Sequence, residues 1–220
     1  MTRRWVELSG VGRANWTQRP VAIVGGGPSL AGFDLKRLRD RFFVLAVNAS
    51  IFDVPQINAG FSLDRRAMRY WWPRLREVDA PLYFAIPDNW LINIHDPPSH
   101  RMRFIRRAAG NWFNDDNWSI SCGGSSGYGA LQLAFKKGAR RIVLLGFDYG
   151  SAPDGSWHHN EQHYTFFQRH EADKWREFAA SFNAAVPVLQ KAGAVVINGS
   201  PRSAITAFPR MTIEEALETV

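Results

Sequence analysis

Two short stretches hold most of the residues whose types and spacing could do chemistry. The first, VGGGPSL at positions 24–30, sets three glycines, a proline and a serine directly after an apolar run. Glycine lets the backbone turn sharply and lets a ligand approach it, and N–H groups at a helix start attract anions. Gly25, Gly26, Gly27 and the Ser29 hydroxyl therefore form a candidate phosphate cradle, with Pro28 suited to a first helical turn. Leu30 occupies the place of the third glycine in a dinucleotide fingerprint. No Gly-Lys-Ser/Thr follows either, so ATP hydrolysis of the P-loop kind is disfavoured. The second stretch, CGGSSGYG at positions 122–129, precedes a helical pattern and adds the hydroxyls of Ser125 and Ser126 beside Gly127. For each loop the plain alternative is a tight turn that binds nothing.

Other polar residues stand just beyond apolar runs: Asn48, Asp64, Asp148, Tyr149, Asn198 and Ser200. Strand-end aspartates often cap the next helix, but Asp64 and Asp148 are also of the type that holds Mg²⁺ on a phosphate. Four histidines, His158, His159, His163 and His170, fall within thirteen residues of one polar segment. They offer a general base, a metal cluster without matched carboxylate spacing, or a plain surface.

These residues must be positioned by elements that the pattern reveals. Residues 21–24, 42–47, 60–63, 81–86, 142–145 and 195–197 read as buried strands, most ending at Gly, Asn or Asp. Helical patterns fill 65–76, 125–137 and 212–217, with a long one at 171–191 that Pro187 should kink. Residues 1–19 read as an N-terminal extension and 87–122 as a lid or acceptor-side loop, since the latter is rich in Pro, Asn and Asp with little period. Alternating strands and helices predict one α/β domain, a doubly wound and mostly parallel Rossmann-like sheet. In such sheets ligands sit outside the carboxyl ends of the strands. The glycine loop, Asn48, Asp64, Asp148, Tyr149, Asn198 and Ser200 are thus expected around one crevice.

Composition sets outer limits. The 220 residues, 45% hydrophobic and 21% charged, suit a packed domain. One cysteine excludes an internal disulfide and a cysteine-rich zinc site. No apolar run nears the roughly 20 residues that span a bilayer, and the N-terminal MTRRWVELSG lacks the apolar core of a secretory signal, so a cytoplasmic protein is expected. The formal charge of +7, mostly from arginine, favours an anionic partner or reflects codon usage alone. Arginines crowd residues 65–76 and 101–107 among aromatic residues, a pattern that could track nucleic acid or form a solvated basic face.

The GGGPSL loop, the strand ending in Asn48 and the block SSGYGALQLAFKKGARRIVLLGFDY together resemble the bacterial sialyltransferases of glycosyltransferase family 42. They also resemble proteins of the same fold, including 6-hydroxymethylpterin diphosphokinases of archaeal type and phage-borne proteins, over residues 21–198. The resemblance implies a cytidine-monophosphate-type nucleotide-sugar donor, held by Gly26, Ser29 and Asn48, with Ser125, Ser126 and Gly127 on its ribose, base or sugar. It implies that Tyr149 steadies the leaving phosphate. It also implies that a histidine before the long helix, His170 with His163 as runner-up, deprotonates an acceptor hydroxyl. A second tyrosine of the family has only Trp157 nearby here. The pterin-kinase branch would instead rest on Asp64 and Asp148 holding Mg²⁺. A nucleic-acid-modifying role is the third reading.

Overall fold

The computed structural model describes residues 13–87, 101–110, 113, 119–159, 161–163 and 172–220. Eight strands form one sheet: β1 (Val21–Val24), β2 (Phe43–Val47), β3 (Ala59–Ser62), β4 (Leu82–Ile86), β5 (Met102–Ala108), β6 (Ser119–Ser121), β7 (Arg141–Leu145) and β8 (Val195–Asn198). Their order is β6-β5-β4-β3-β2-β1-β7-β8 and every neighbouring pair is parallel. This is the doubly wound α/β architecture that the alternation predicts. Strand order reverses between β1 and β7, and a ligand crevice is expected at such a switch point.

Apolar residues alternate across each strand and so feed two cores. Val21 and Ile23 of β1 face one core and Ala22 and Val24 the other. The first core packs α1 (Arg13–Gln18), through the buried Trp16, together with α4 (Ser126–Lys136), α5 (Ala172–Ser181) and α6 (Val186–Lys191). The second takes α2 (Ser50–Asp53), α3 (Arg65–Leu75) and α7 (Ile213–Thr219). α7 starts from a reciprocal capping box, Thr212 with Glu215, which satisfies two of the helix's first amides.

Two departures from the sequence pattern matter. The segment expected to be a lid contributes β5 and β6 to the sheet. Met102 and Ile105 are buried there while Arg103, Arg106 and Arg107 occupy three of the other five positions, which hides the strand from a hydropathy reading. The long helix expected at 171–191 is divided: a 3-10 turn at Phe182–Ala185 separates α5 from α6. Pro187 sits in the first turn of α6. Its ring nitrogen has no hydrogen to give to a preceding turn, so the chain restarts a helix rather than continuing one. Residue 171 lies outside the described residues.

Candidate active site

The glycine loop is built as a close contact between two strand ends. Gly25 N donates to Leu145 O (2.7 Å) and Gly27 N to Gly146 O (2.8 Å), so both amides are consumed in joining β1 to β7. A Cβ on Gly27 would stand 2.0 Å from Asp148 Oδ2 and 2.6 Å from Gly146 O. Only glycine fits. Beyond the loop comes a three-residue 3-10 turn, Pro28–Leu30, with Pro28 at its start. Such a turn supplies little helix dipole. Of the loop's amides, Gly26 N has no hydrogen-bond partner among the described residues.

Asp148 holds this loop from behind. Its Oδ2 accepts from Ser29 Oγ (2.7 Å) and Ser29 N (3.3 Å), and Ser29 Oγ also meets Ser200 Oγ at 3.0 Å. Ser200 N in turn donates to Asn198 Oδ1 (3.1 Å). Ser29, Asp148, Asn198 and Ser200 thus brace the crevice without lining it. Burial raises the Asp148 carboxyl above its ordinary range, and the bonds from Ser29 oppose that shift.

The crevice, about 800 Å³ out to its open mouth, lies at the carboxyl ends of β1, β2, β3 and β7. Gly25, Gly26, Gly27, Asn48, Asp64, Ser125, Ser126, Gly127 and Tyr149 line it. Among the described residues, the two non-glycine residues with a positive φ both stand here, Asn48 at 56° and Tyr149 at 51°. Left-handed backbone disfavours most L side chains, and for a bulky residue such as tyrosine it is a true outlier. Both serve to aim a side chain at the crevice. Ser62 Oγ donates to Asn48 Oδ1 (2.8 Å), which fixes the amide and turns Nδ2 outward as a donor.

On the opposite wall, Ser125 caps α4: its Oγ accepts from Gly127 N at 3.2 Å. The same Oγ makes a short contact with the Tyr149 hydroxyl. Either hydroxyl can donate in this pair, and when Ser125 donates the phenolic hydrogen is left for a ligand. Burial raises the Tyr149 pKa, so the phenol keeps its proton through the neutral range. Ser126 Oγ accepts from Leu63 N (3.2 Å), which joins α4 to the end of β3. The N-terminus of this eleven-residue helix, through Ser125, Ser126 and Gly127, faces the crevice with its positive dipole end.

An aromatic wall completes the site, and of its residues only Trp157, near the place of the family's second tyrosine, stood out from the sequence. Trp157, Trp175 and Phe178 line it, with the indoles of Trp157 and Trp175 stacked at 5.6 Å and 18°. Their approach comes from packing of the chain after β7 against α5, which no local period announces. His158 lines the crevice beside Trp175.

The other histidines divide. His163 meets Arg74 through Nδ1 (3.1 Å) and Asp53 through Nε2 (3.0 Å). Arginine only donates, so Nδ1 accepts and Nε2–H donates to the carboxylate. That ring has no lone pair left for an acceptor hydroxyl and does not line the crevice. His159 N donates to Gly26 O (2.9 Å), latching the 150–159 segment onto the glycine loop. Desolvation lowers its imidazole pKa. His170 lies outside the described residues.

Of the two carboxylates expected to hold Mg²⁺, Asp64 lines the crevice and Asp148 does not. Asp64 Oδ1 caps α3 by accepting from Arg66 N (2.9 Å) and Ala67 N (3.1 Å), and Asp148 is held by Ser29 behind the loop. No three His, Cys, Asp or Glu residues among the described residues are grouped to hold a metal ion.

No protein-family model matches the chain, and no curated protein matches it in sequence. Among solved structures, it is similar to the MAf glycosyltransferase from Magnetospirillum magneticum AMB-1 at 16% identity and a TM-score of 0.59. That likeness covers 96% of this chain but 36% of the other, so the chain spans about a third of that protein's length. It is also similar to monomeric CstII, at 15% identity and a TM-score of 0.50, over 87% of this chain and 85% of CstII. The fold is of the glycosyltransferase family 42 type.

Proposed function

We propose that the protein transfers a glycosyl group from a nucleotide-activated donor to an acceptor hydroxyl. The observation that carries this reading is the crevice itself. At the switch point of a glycosyltransferase-type sheet, left-handed Asn48 and Tyr149 and the N-terminus of α4 aim neutral donors at one point. No lysine or arginine is among the described residues lining it. Such a site suits a donor with one phosphate, of the cytidine-monophosphate type, better than a more highly charged diphosphate.

The donor phosphate lies between the Gly26 amide and the start of α4, with Asn48 Nδ2 on the nucleotide and Ser126 on its ribose. Tyr149 donates its hydrogen bond to the phosphate oxygen as the sugar–oxygen bond breaks and that oxygen takes the electron pair. The acceptor oxygen bonds the anomeric carbon and gives its proton to a histidine. His158, which lines the crevice, takes this role among the described residues, with the aromatic wall beside it holding the sugar or acceptor ring. The chain's residues carry every step, and none needs a metal.

A thermal-shift panel of CMP, CDP, UDP, GDP, ADP and ATP, each with and without Mg²⁺, tests the donor. A ligand at a hundredfold excess over its Kd adds about 2.7 kcal/mol to stability. Metal-independent stabilisation by CMP, lost in Asn48→Gly, is the expected result. Stabilisation only by ATP with Mg²⁺ would replace this reading with the diphosphokinase. Exchanging His158 and His170 one at a time for Asn, with turnover of the CMP-sugar followed, assigns the base.

A further inference from the structure

A buried hydroxyl that does not line the crevice reaches into the glycine loop. Ser50 opens α2, two residues after the left-handed Asn48, and is fully buried. Serine in a helix often gives its hydroxyl hydrogen to the preceding turn. Ser50 Oγ gives its hydrogen instead to Gly25 O, at 2.7 Å and 25 positions away in the chain. That bond completes the pairing of the loop's backbone. Gly25 N and Gly27 N are spent on Leu145 O and Gly146 O, Gly26 O accepts from His159 N, and Gly27 O accepts from Leu30 N (3.2 Å). Of the backbone polar groups of the three glycines, Gly26 N alone has no partner among the described residues.

The peptide unit between Gly25 and Gly26 carries both the carbonyl that Ser50 holds and the unpartnered amide. Among the described residues no peptide bond is cis, so this carbonyl and this N–H point in opposite directions. Glycine on both sides leaves the unit little steric restriction on turning about its flanking bonds. The hydrogen bond, rather than the backbone, therefore selects one orientation. Ser50 approaches from the buried interior, and Gly26 lines the crevice. We infer that Ser50 is a positioning residue: by holding Gly25 O it presets the Gly26 N–H toward the crevice as a donor to a phosphate oxygen. An amide already aimed need not turn when the anion arrives, which saves part of the cost of binding. The saving matters here because no lysine or arginine is among the described residues lining the crevice. The inference rests on the transfer reading for its ligand, the phosphate of a nucleotide.

The test is amide nitrogen–proton correlation NMR of the full chain, titrated separately with inorganic phosphate, CMP and cytidine. In the wild type, phosphate and CMP should shift the Gly26 amide, and cytidine should not. Ser50→Ala should weaken phosphate and CMP about tenfold, the low end for a hydrogen bond to a charged group, and leave cytidine unchanged. Ser50→Cys keeps a side chain of similar shape with a weaker donor, so its affinities should fall between the two. It also carries the test if Ser50→Ala does not fold. Three results would overturn the inference. The first is a Gly26 amide that neither phosphate nor CMP moves in the wild type. The second is wild-type affinity for phosphate and CMP in the Ser50 variants. The third is equal weakening of CMP and cytidine, which marks a structural role alone. Failure of the transfer reading looks different: CMP would bind no tighter than inorganic phosphate. The Gly26 shift and its dependence on Ser50 would persist, and that outcome supports the inference.

Discussion

Asn48 shows how one residue joins backbone strain to ligand chemistry. Its φ of 56° suits glycine as well as asparagine, while alanine pays the full cost of the left-handed region. Asn48→Gly should therefore be more stable than Asn48→Ala by about 1 kcal/mol in urea unfolding, although both lack the amide and both should lose stabilisation by the donor. Equal stability of the two variants would show that the loop relaxes, and retained donor binding would remove Asn48 from the site. Asp148 makes a different prediction. Its pKa is raised, chiefly by desolvation, so the folded state prefers the protonated carboxyl. The stability this confers is present below the unfolded-chain value near 3.8 and lost as pH rises through the folded value. Asp148→Asn keeps an acceptor for Ser29 without a buried charge. Wild type minus variant stability should fall as pH rises from the acid range to neutrality, and a difference that rises with pH would contradict desolvation as the dominant cause.

Among the elements, those with one simple pattern were legible in the sequence. β1, β7 and β8 are short apolar runs between turn residues, and α4 carries its apolar positions, its capping Ser125 and its closing Gly138 in plain order. β5 was not legible, because arginine fills three of its seven paired positions while only Met102 and Ile105 are buried. The polar half of the crevice was readable from strand ends. Of its aromatic half only Trp157 stood out, since Trp175 and Phe178 read as the apolar face of a helix and meet Trp157 through tertiary packing. The glycine loop reads as a cradle in the sequence, yet Gly25 and Gly27 spend their amides on the β1–β7 join. That join makes Gly27 structural: Gly27→Ala forces a Cβ into Asp148 and Gly146 and should cost about 3 kcal/mol by denaturant unfolding. Ser29→Ala leaves Asp148 without its hydroxyl donor and should cost about 1–3 kcal/mol. Near-zero losses in both would mean that the loop does not depend on the buttress.

At the scale of the whole molecule, one sheet with a single reversal of strand order fixes where a ligand can be felt. β1 and β7 are interior strands, each paired on both sides and covered by a core on each face, whereas β6 and β8 are the edges. Opening of the centre requires breaking most of the fold, but an edge opens locally. In hydrogen exchange without ligand, amides of β1 and β7 should be slowest, and those of the three-residue β6 should exchange far sooner. A bound CMP-type donor then touches elements far apart in sequence but adjacent at the switch point. Protection should rise together at Gly26, at residues 124–128 and around Tyr149, with α7 and the β5–β6 edge unchanged. Stabilisation spread evenly over all amides would indicate a general effect on folding rather than occupancy of the crevice. Protection absent from all three places would leave the crevice as a turn between strands and nothing more.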